Sequence, residues 1–439
     1  MACGFSDLVL SIFEVFGDVG PRRPNVVLIL VDDLDFEAIS SYGGTSYSTP
    51  NIDAFAAESV QFTNCHSTPL CTPSRVRLMT GKYSYKNFER FAYLNSDEKT
   101  FADFAHQEGY NSCVVGKWQL AKGEGKDARL PTEFGFDDYC VYYLNERAGD
   151  RYADPTISIP GEEAKKHEGY YGPDILSDYA CDFMEENREK PFFLYYPMVL
   201  THNPFVPTPD SKGGLYEDET GVPSVGMPDL APDEIFEFDK LTAHPSRQRW
   251  FGDMVAYTDK VVGKLLKKLD DLELEDNTLV LFTADNGSHP SLRSMLHGKE
   301  WQGGKGKLYE FGTHVPLIAR WRQATNPGHM CDDLVDLVDV FATVTDAIGV
   351  DKDDPSHLLT DGRSLKPQIH GEKGNPRDHL FLHYDPSHGG ILWNSPLTRY
   401  VRTKKWKLYN DGRLYDVRKD RLEKEALPAN SHPDVRARL

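Results

Sequence analysis

The chain has 439 residues, 39% of them hydrophobic and 12% aromatic, enough to bury a large core in one big domain beside a smaller one. Its formal charge of −19, from 49 basic and 68 acidic residues, argues against a nucleic-acid or anionic-membrane partner, so any anion site must gather positive charge locally. Seven scattered cysteines show no C-x-x-C spacing, which argues against a disulfide framework and excludes a zinc ribbon, and no apolar run is long enough to span a bilayer.

Residues 1–23 are apolar in places, but Asp7 and Glu14 interrupt them. Without a basic start or a small-residue cleavage site they read as an N-terminal extension and a poor secretory signal. NVVLILV (25–31) then reads as a strand buried on both faces, followed by Asp32 and Asp33. A helix starts at the N-cap Thr100. A strand around Cys113–Val115 precedes Lys117, and PFFLYYPMVL (191–200) precedes Thr201 and His202. Apolar residues at Ile175, Leu176, Tyr179, Phe183 and Met184 mark one helix, and those at Val261, Val262, Leu265, Leu266 and Leu269 mark another. TLVLFTA (278–284) is a strand that precedes Asp285 and Asn286. Strands alternating with helices predict an α/β fold with a large, doubly wound, mostly parallel sheet flanked by helices. Residues 203–247 are rich in Pro, Gly and acids and read as a long insertion over the site. After residue 370 short runs such as HLFLHYD and RYVRTKKWKLYN predict a small C-terminal α+β domain carrying an antiparallel sheet. The expected division is 1–23, a catalytic domain over 24–370, and a C-terminal domain over 371–439.

In open α/β sheets ligands bind beyond the carboxyl ends of the strands. Four predicted strand ends lead into Asp32 and Asp33, Lys117, His202, and Asp285 with Asn286. Taken singly, each acidic pair would serve as a turn or helix cap. Two such pairs at the ends of buried strands instead form an all-oxygen set, which suits a hard cation such as Ca²⁺ or Mg²⁺ and not zinc.

The stretch CTPSRVRLMTG (71–81) is the most specific feature of the chain. Pro73 suits the first turn of a helix, which places Cys71 at a helix N-terminus, where free N–H groups and the dipole favour an anion. Arg75 adds a forked donor for a tetrahedral oxyanion. A lone cysteine is more often core packing, but the whole pattern arises by chance with a probability on the order of 10⁻⁵.

That stretch resembles the signature of the formylglycine-dependent (type I) sulfatases of the alkaline phosphatase superfamily. PNVVLILVDDL, TPNIDAFAAESVQFTN, GKWQL, ADNG, GGKG and GTHVP resemble further blocks of that family, in its order, so the resemblance spans 24–425. It implies oxidation of Cys71 to formylglycine (3-oxoalanine) by a formylglycine-generating maturation enzyme, the hydrated aldehyde acting as nucleophile. It implies Asp32, Asp33, Asp285 and Asn286 as ligands of Ca²⁺, with Mg²⁺ the alternative. It implies that Lys117 and Lys305 bind the sulfate and that His202 lies near the leaving-group oxygen. Surface lysines are otherwise usually only solvated, and a histidine at a strand end is often structural. One position departs from the pattern. Gln119 stands where the family usually has histidine, and glutamine can hydrogen-bond but cannot move a proton near neutral pH.

The expected reaction is hydrolysis of a sulfate ester, most readily of a sulfated carbohydrate or other sulfated small molecule. Gln119 keeps a substrate-binding role in that reading. Two alternatives stay open: a phosphodiester or phosphonate hydrolase on the same scaffold, and an inactive homologue that binds sulfated glycans.

Overall fold

A computed structural model describes residues 23–121, 130–142, 151–211, 246–322, 326–351, 360–385 and 396–439, with the backbone alone of a short pair of strands at 216–217 and 223–224. The N-terminal extension (1–22) and most of the expected insertion (212–245) lie outside the described residues.

The elements that position the site are, in chain order, β1 (Asn25–Val31), α1 (Pro50–Ala57), β2 (Val60–His66), α2 (Cys71–Thr80), α3 (Phe101–Gln107), β3 (Asn111–Gly116), β4 (Asp138–Tyr142), β5 (Thr156–Ser158), β6 (Lys165–Lys166), α4 (Gly172–Glu186), β7 (Phe192–Pro197), α5 (Arg247–Asp271), β8 (Thr278–Ala284), β9 (His314–Trp321), β10 (His329–Cys331) and α6 (Leu337–Ile348). One sheet runs in the order β10-β2-β9-β8-β1-β7-β3-β4-β5-β6. Its centre, β8-β1-β7-β3-β4, is parallel. β9 runs antiparallel between β8 and β2. Every residue of β1, β7 and β8 is buried, as expected for strands covered on both faces. Helices α2, α3 and α6 pack together, and α1, α4 and α5 form a separate group. The predicted fold class therefore stands: the sheet is mostly parallel at its centre, with β9 antiparallel.

Local chemistry sets the helix boundaries. Thr100 caps α3, its hydroxyl accepting from Ala102 N while Asp103 bonds back to Thr100 N. α5 starts at Arg247, fourteen residues before Val261, because Trp250, Phe251, Met254 and Val255 continue its buried face. All ten residues of α2 are buried. Its C-cap Gly81 has φ +67°, and a Cβ there would lie 2.4 Å from the Phe341 ring. The glycine that closes the signature is thus a helix stop packed on α6, not a ligand-binding feature.

The C-terminal segment forms a meander, β11 (Leu380–Tyr384), β12 (Thr398–Arg402), β13 (Trp406–Tyr409) and β14 (Leu414–Asp416), antiparallel throughout. It has its own apolar cluster of Leu382, Tyr384, Tyr400, Tyr409, Tyr415 and Val417, which also includes Leu70, the residue before Cys71. The small sheet thereby buttresses the start of α2.

Candidate active site

Register builds the acidic centre. β1 and β8 are parallel neighbours with Val31 opposite Ala284, so the residues that follow, Asp32–Asp33 and Asp285–Asn286, emerge side by side. Asp33 N donates to Asp285 Oδ1 at 3.1 Å, and Asn286 Nδ2 donates to Asp33 Oδ1 at 2.8 Å. Asp33 adopts φ +61°, a left-handed conformation uncommon outside glycine. All four side chains are at most 1% exposed.

Three cations meet these carboxylates. Lys117 leaves β3 with its N–H on Pro197 O, and its ammonium sits 2.6 Å from Asp32 Oδ2. Arg75 projects from the first turns of α2. Its Nε and Nη2 lie 3.0 and 2.9 Å from Asp285 Oδ2, and its Nη1 donates to Lys117 O. Lys305 Nζ lies 2.6 Å from Asp33 Oδ2 and 3.1 Å from His202 Nε2. His202 Nδ1 contacts Asn203 O, which assigns the proton to Nδ1 and leaves Nε2 to accept from Lys305. Burial first, and then Lys305, push the His202 pKa well below its usual value, so the ring is neutral. Burial opposes ionisation of Asp32, but the adjacent cations Lys117, Arg75 and Lys305 outweigh it and hold its carboxyl well below the ordinary range. Burial, reinforced by Asp32, pushes Asp285 up to about 7 despite Arg75 and Lys117.

Cys71 is the first residue of α2 and 2% exposed. Its charge would act on Arg75, Lys117 and Lys305 together. The site residues read from the sequence thus converge at one sheet edge. Gly303 and Gly304 serve the chain itself. A Cβ on Gly304 would lie 2.4 Å from Phe311 O, and one on Gly303 would lie 2.4 Å from His289 O. These glycines let the Lys305 loop approach its own chain, and Lys305 N is anchored on Ser288 O. Gln119 is half-buried with φ +51°, and its side-chain oxygen has no hydrogen-bond partner.

Three further residues were not singled out from the sequence. Thr201 N and Oγ1 hold the Asp32 carbonyl, and Oγ1 also reaches Asp33 O. Tyr152 donates to Val199 O and His202 O. Arg151, 1% exposed, stacks near Tyr142 and Tyr152, and its charge reaches His202. No motif carries them; only the fold brings their distant segments to the site.

Asp32 Oδ1 and Asn286 Oδ1 are buried without a hydrogen-bond partner, which a hard cation would satisfy. Asp32, Asp33 and His202 also place one ligand atom each within 4.8 Å of one another. His202 Nε2 is already taken by Lys305, so the oxygen set is the better match. The residues fit a hard cation.

The sulfatase family model matches residues 24–350. The chain belongs to the sulfatase family. A second model, for the C-terminal part of N-sulphoglucosamine sulphohydrolase, matches 300–438. This sulfatase is 26% identical to an N-acetylglucosamine-6-O-sulfatase of Bacteroides thetaiotaomicron, over 92% of this chain and 82% of that one. It is 27% identical to the Homo sapiens N-acetylgalactosamine-6-sulfatase, over 89% and 74%, and 28% identical to the Homo sapiens steryl-sulfatase, over 82% and 72%. Among solved structures, a protein in complex with its substrate D-glucosamine-2-N,6-O-disulfate shares the fold with TM-score 0.71 and 24% identity, covering 92% of this chain and 93% of that one. The phosphonate monoester hydrolase of Agrobacterium radiobacter shares it with TM-score 0.66 and 21% identity, covering 94% of each. The sulfatase is a sulfuric ester hydrolase. No described helix is long and apolar enough to cross a membrane.

Proposed function

We propose that this sulfatase cleaves a sulfate ester carried by a sugar, with Cys71 as the precursor of the nucleophile. Its maturation partner is then a formylglycine-generating enzyme, and its resident metal Ca²⁺ or Mg²⁺ held by Asp32, Asp33, Asp285 and Asn286. The observation that carries the reading is the convergence of Cys71, Arg75, Lys117, Lys305 and His202 on the acidic centre. The amino-sugar 6-sulfatases among the relatives support a sugar sulfate. In their mature form these groups supply an oxygen nucleophile on residue 71 and a cation that neutralises sulfuryl charge.

The chain's own residues do the rest. Arg75, Lys117 and Lys305 offer donors to the sulfuryl oxygens, in a buried setting where such contacts strengthen. The α2 N-terminus adds its partial positive charge at residue 71. The Lys305–His202 pair faces the departing oxygen and delivers a proton to it; an alkoxide is a stronger base than a lysine amine, so the transfer is downhill. Gln119 orients by hydrogen bonding without moving a proton. The division into a catalytic domain over 24–370 and a C-terminal domain over 371–439 belongs to the same proposal, supported by the separate apolar cluster of the small sheet.

The test is hydrolysis of 6-sulfated N-acetylhexosamines, steryl sulfate and a phosphonate monoester, measured side by side as the alcohol released. Turnover of a sugar sulfate at least tenfold above the others supports the proposal. Preference for the steryl or phosphonate ester would overturn the sugar assignment.

A further inference from the structure

A cavity of about 200 Å³ opens where the β2 edge of the main sheet meets the C-terminal sheet. None of the active-site residues described above lines it. Its walls carry four cations and two carboxylates. Two cations are matched inside the wall. Arg402 Nη1 lies 2.6 Å from Glu310 Oε2, whose other oxygen contacts His314 Nδ1 at 2.9 Å. Lys404 Nζ lies 2.9 Å from Asp332. Arg418 and Arg421 remain. Among the described residues Arg418 Nε donates only to Lys404 O, and the Arg421 side chain donates no hydrogen bond, although its charge acts on the buried Glu37. Two buried nitrogens of the wall also lack partners: Arg402 Nε, on a residue 3% exposed, and His314 Nε2, on a residue 6% exposed.

This excess of positive charge stands out in a chain of formal charge −19. Of the two unpartnered nitrogens only Arg402 Nε is necessarily a donor; a buried donor without an acceptor is costly, and guanidinium forks match tetrahedral oxyanions. We propose that the cavity binds one small tetrahedral oxyanion, of the sulfate type, as a second anion site distinct from the catalytic one. Size agrees. A water takes roughly 30 Å³ of liquid, so the space holds an oxyanion with a few waters and falls below the roughly 300 Å³ of an ordinary small-molecule pocket. Arg418 and Arg421 approach from the C-terminal sheet side, and Asn64 and Thr63 from the β2 edge, so the ion ties the two sheets together. His314 stands opposite His66, the last residue of β2 before the loop to Cys71. The proposal is independent of which ester the active site cleaves.

The test is equilibrium dialysis of radiolabelled sulfate against the full chain at constant ionic strength. The wild type is compared with the double variant Arg418→Gln, Arg421→Gln. The catalytic site also holds sulfate, so the double variant should retain one class of site and lose another, with at least tenfold weaker binding. Hydrolysis should stay within twofold of wild type, and the melting temperature in chloride should show that the variant is folded. Competition then separates the sources. Displacement by selenate alone marks a free oxyanion, and displacement by glucosamine 6-sulfate as well marks a sulfate group borne on sugar; either outcome supports the site. Unchanged sulfate stoichiometry and affinity in a folded double variant would overturn it.

Discussion

Lys305 holds Asp33 at 2.6 Å and reaches His202 Nε2 at 3.1 Å, so one ammonium links the acidic centre to the histidine. In the proposed reaction the proton for the departing alcohol then sits on a residue that Asp33 keeps charged. The consequence is a dependence on the leaving group. His202→Ala should lower kcat by about 10²–10³-fold on alkyl sugar sulfates, where the leaving oxygen needs a proton. On an activated aryl sulfate the loss should be under tenfold. Equal losses on both substrates, measured by sulfate release, would remove His202 from proton delivery.

Arg75 cannot be replaced by another cation. Two of its nitrogens grip Asp285 and a third holds the Lys117 carbonyl, a fork that an ammonium cannot reproduce. Arg75→Lys should keep the fold and lose about 10²–10³-fold in kcat. Kinetics and near-ultraviolet circular dichroism on one sample check both halves.

A divalent cation on Asp32, Asp33, Asp285 and Asn286 should show in stability as well as activity. Calcium at a hundred times its Kd should raise stability by about 2.7 kcal/mol over chelated protein. Asp285→Asn should remove most of that increment. A melting temperature blind to both chelator and calcium would contradict the assignment.

Glu310 gives a pH prediction away from the active site. Burial opposes its ionisation, but Arg402, His314 and His66 outweigh it and hold its carboxyl well below the ordinary glutamate range. The folded pKa is depressed. Its contribution is therefore full above the unfolded value of about 4.3 and is lost as pH falls toward the folded one. Glu310→Gln should melt lower than wild type by a constant margin between pH 6 and 8, and the margin should shrink below about pH 4. Breaking the pair from the other side, Arg402→Ala should cost about 3–5 kcal/mol at neutral pH, because Glu310 is then buried without its cation and keeps only the His314 contact.

Strand ends were the most readable part of the chain. Asp32, Asp33, Asp285 and Asn286 follow uninterrupted apolar runs, and such runs declare buried parallel strands without help from the rest of the fold. Cys71 was readable because Pro73 marks a first helical turn. Pairing was less readable. The antiparallel insertion of β9 between β8 and β2 leaves no local trace, since a strand buried on both faces has the same composition in either direction. Arg151, Tyr152 and Thr201 were missed for a related reason: their importance lies in contacts with Asp32, Asp33 and His202 across long stretches of sequence. Only the structure shows that the paired glycines before Lys305 allow a close approach to the Phe311 and His289 carbonyls.

The most direct test is the mass of the peptide containing Cys71, taken from protein made beside a formylglycine-generating enzyme, with sulfate release assayed on the same sample. The account predicts an aldehyde at residue 71 and activity that rises in proportion to its fraction. A full complement of unmodified thiol in a protein that still hydrolyses sulfate esters would contradict it.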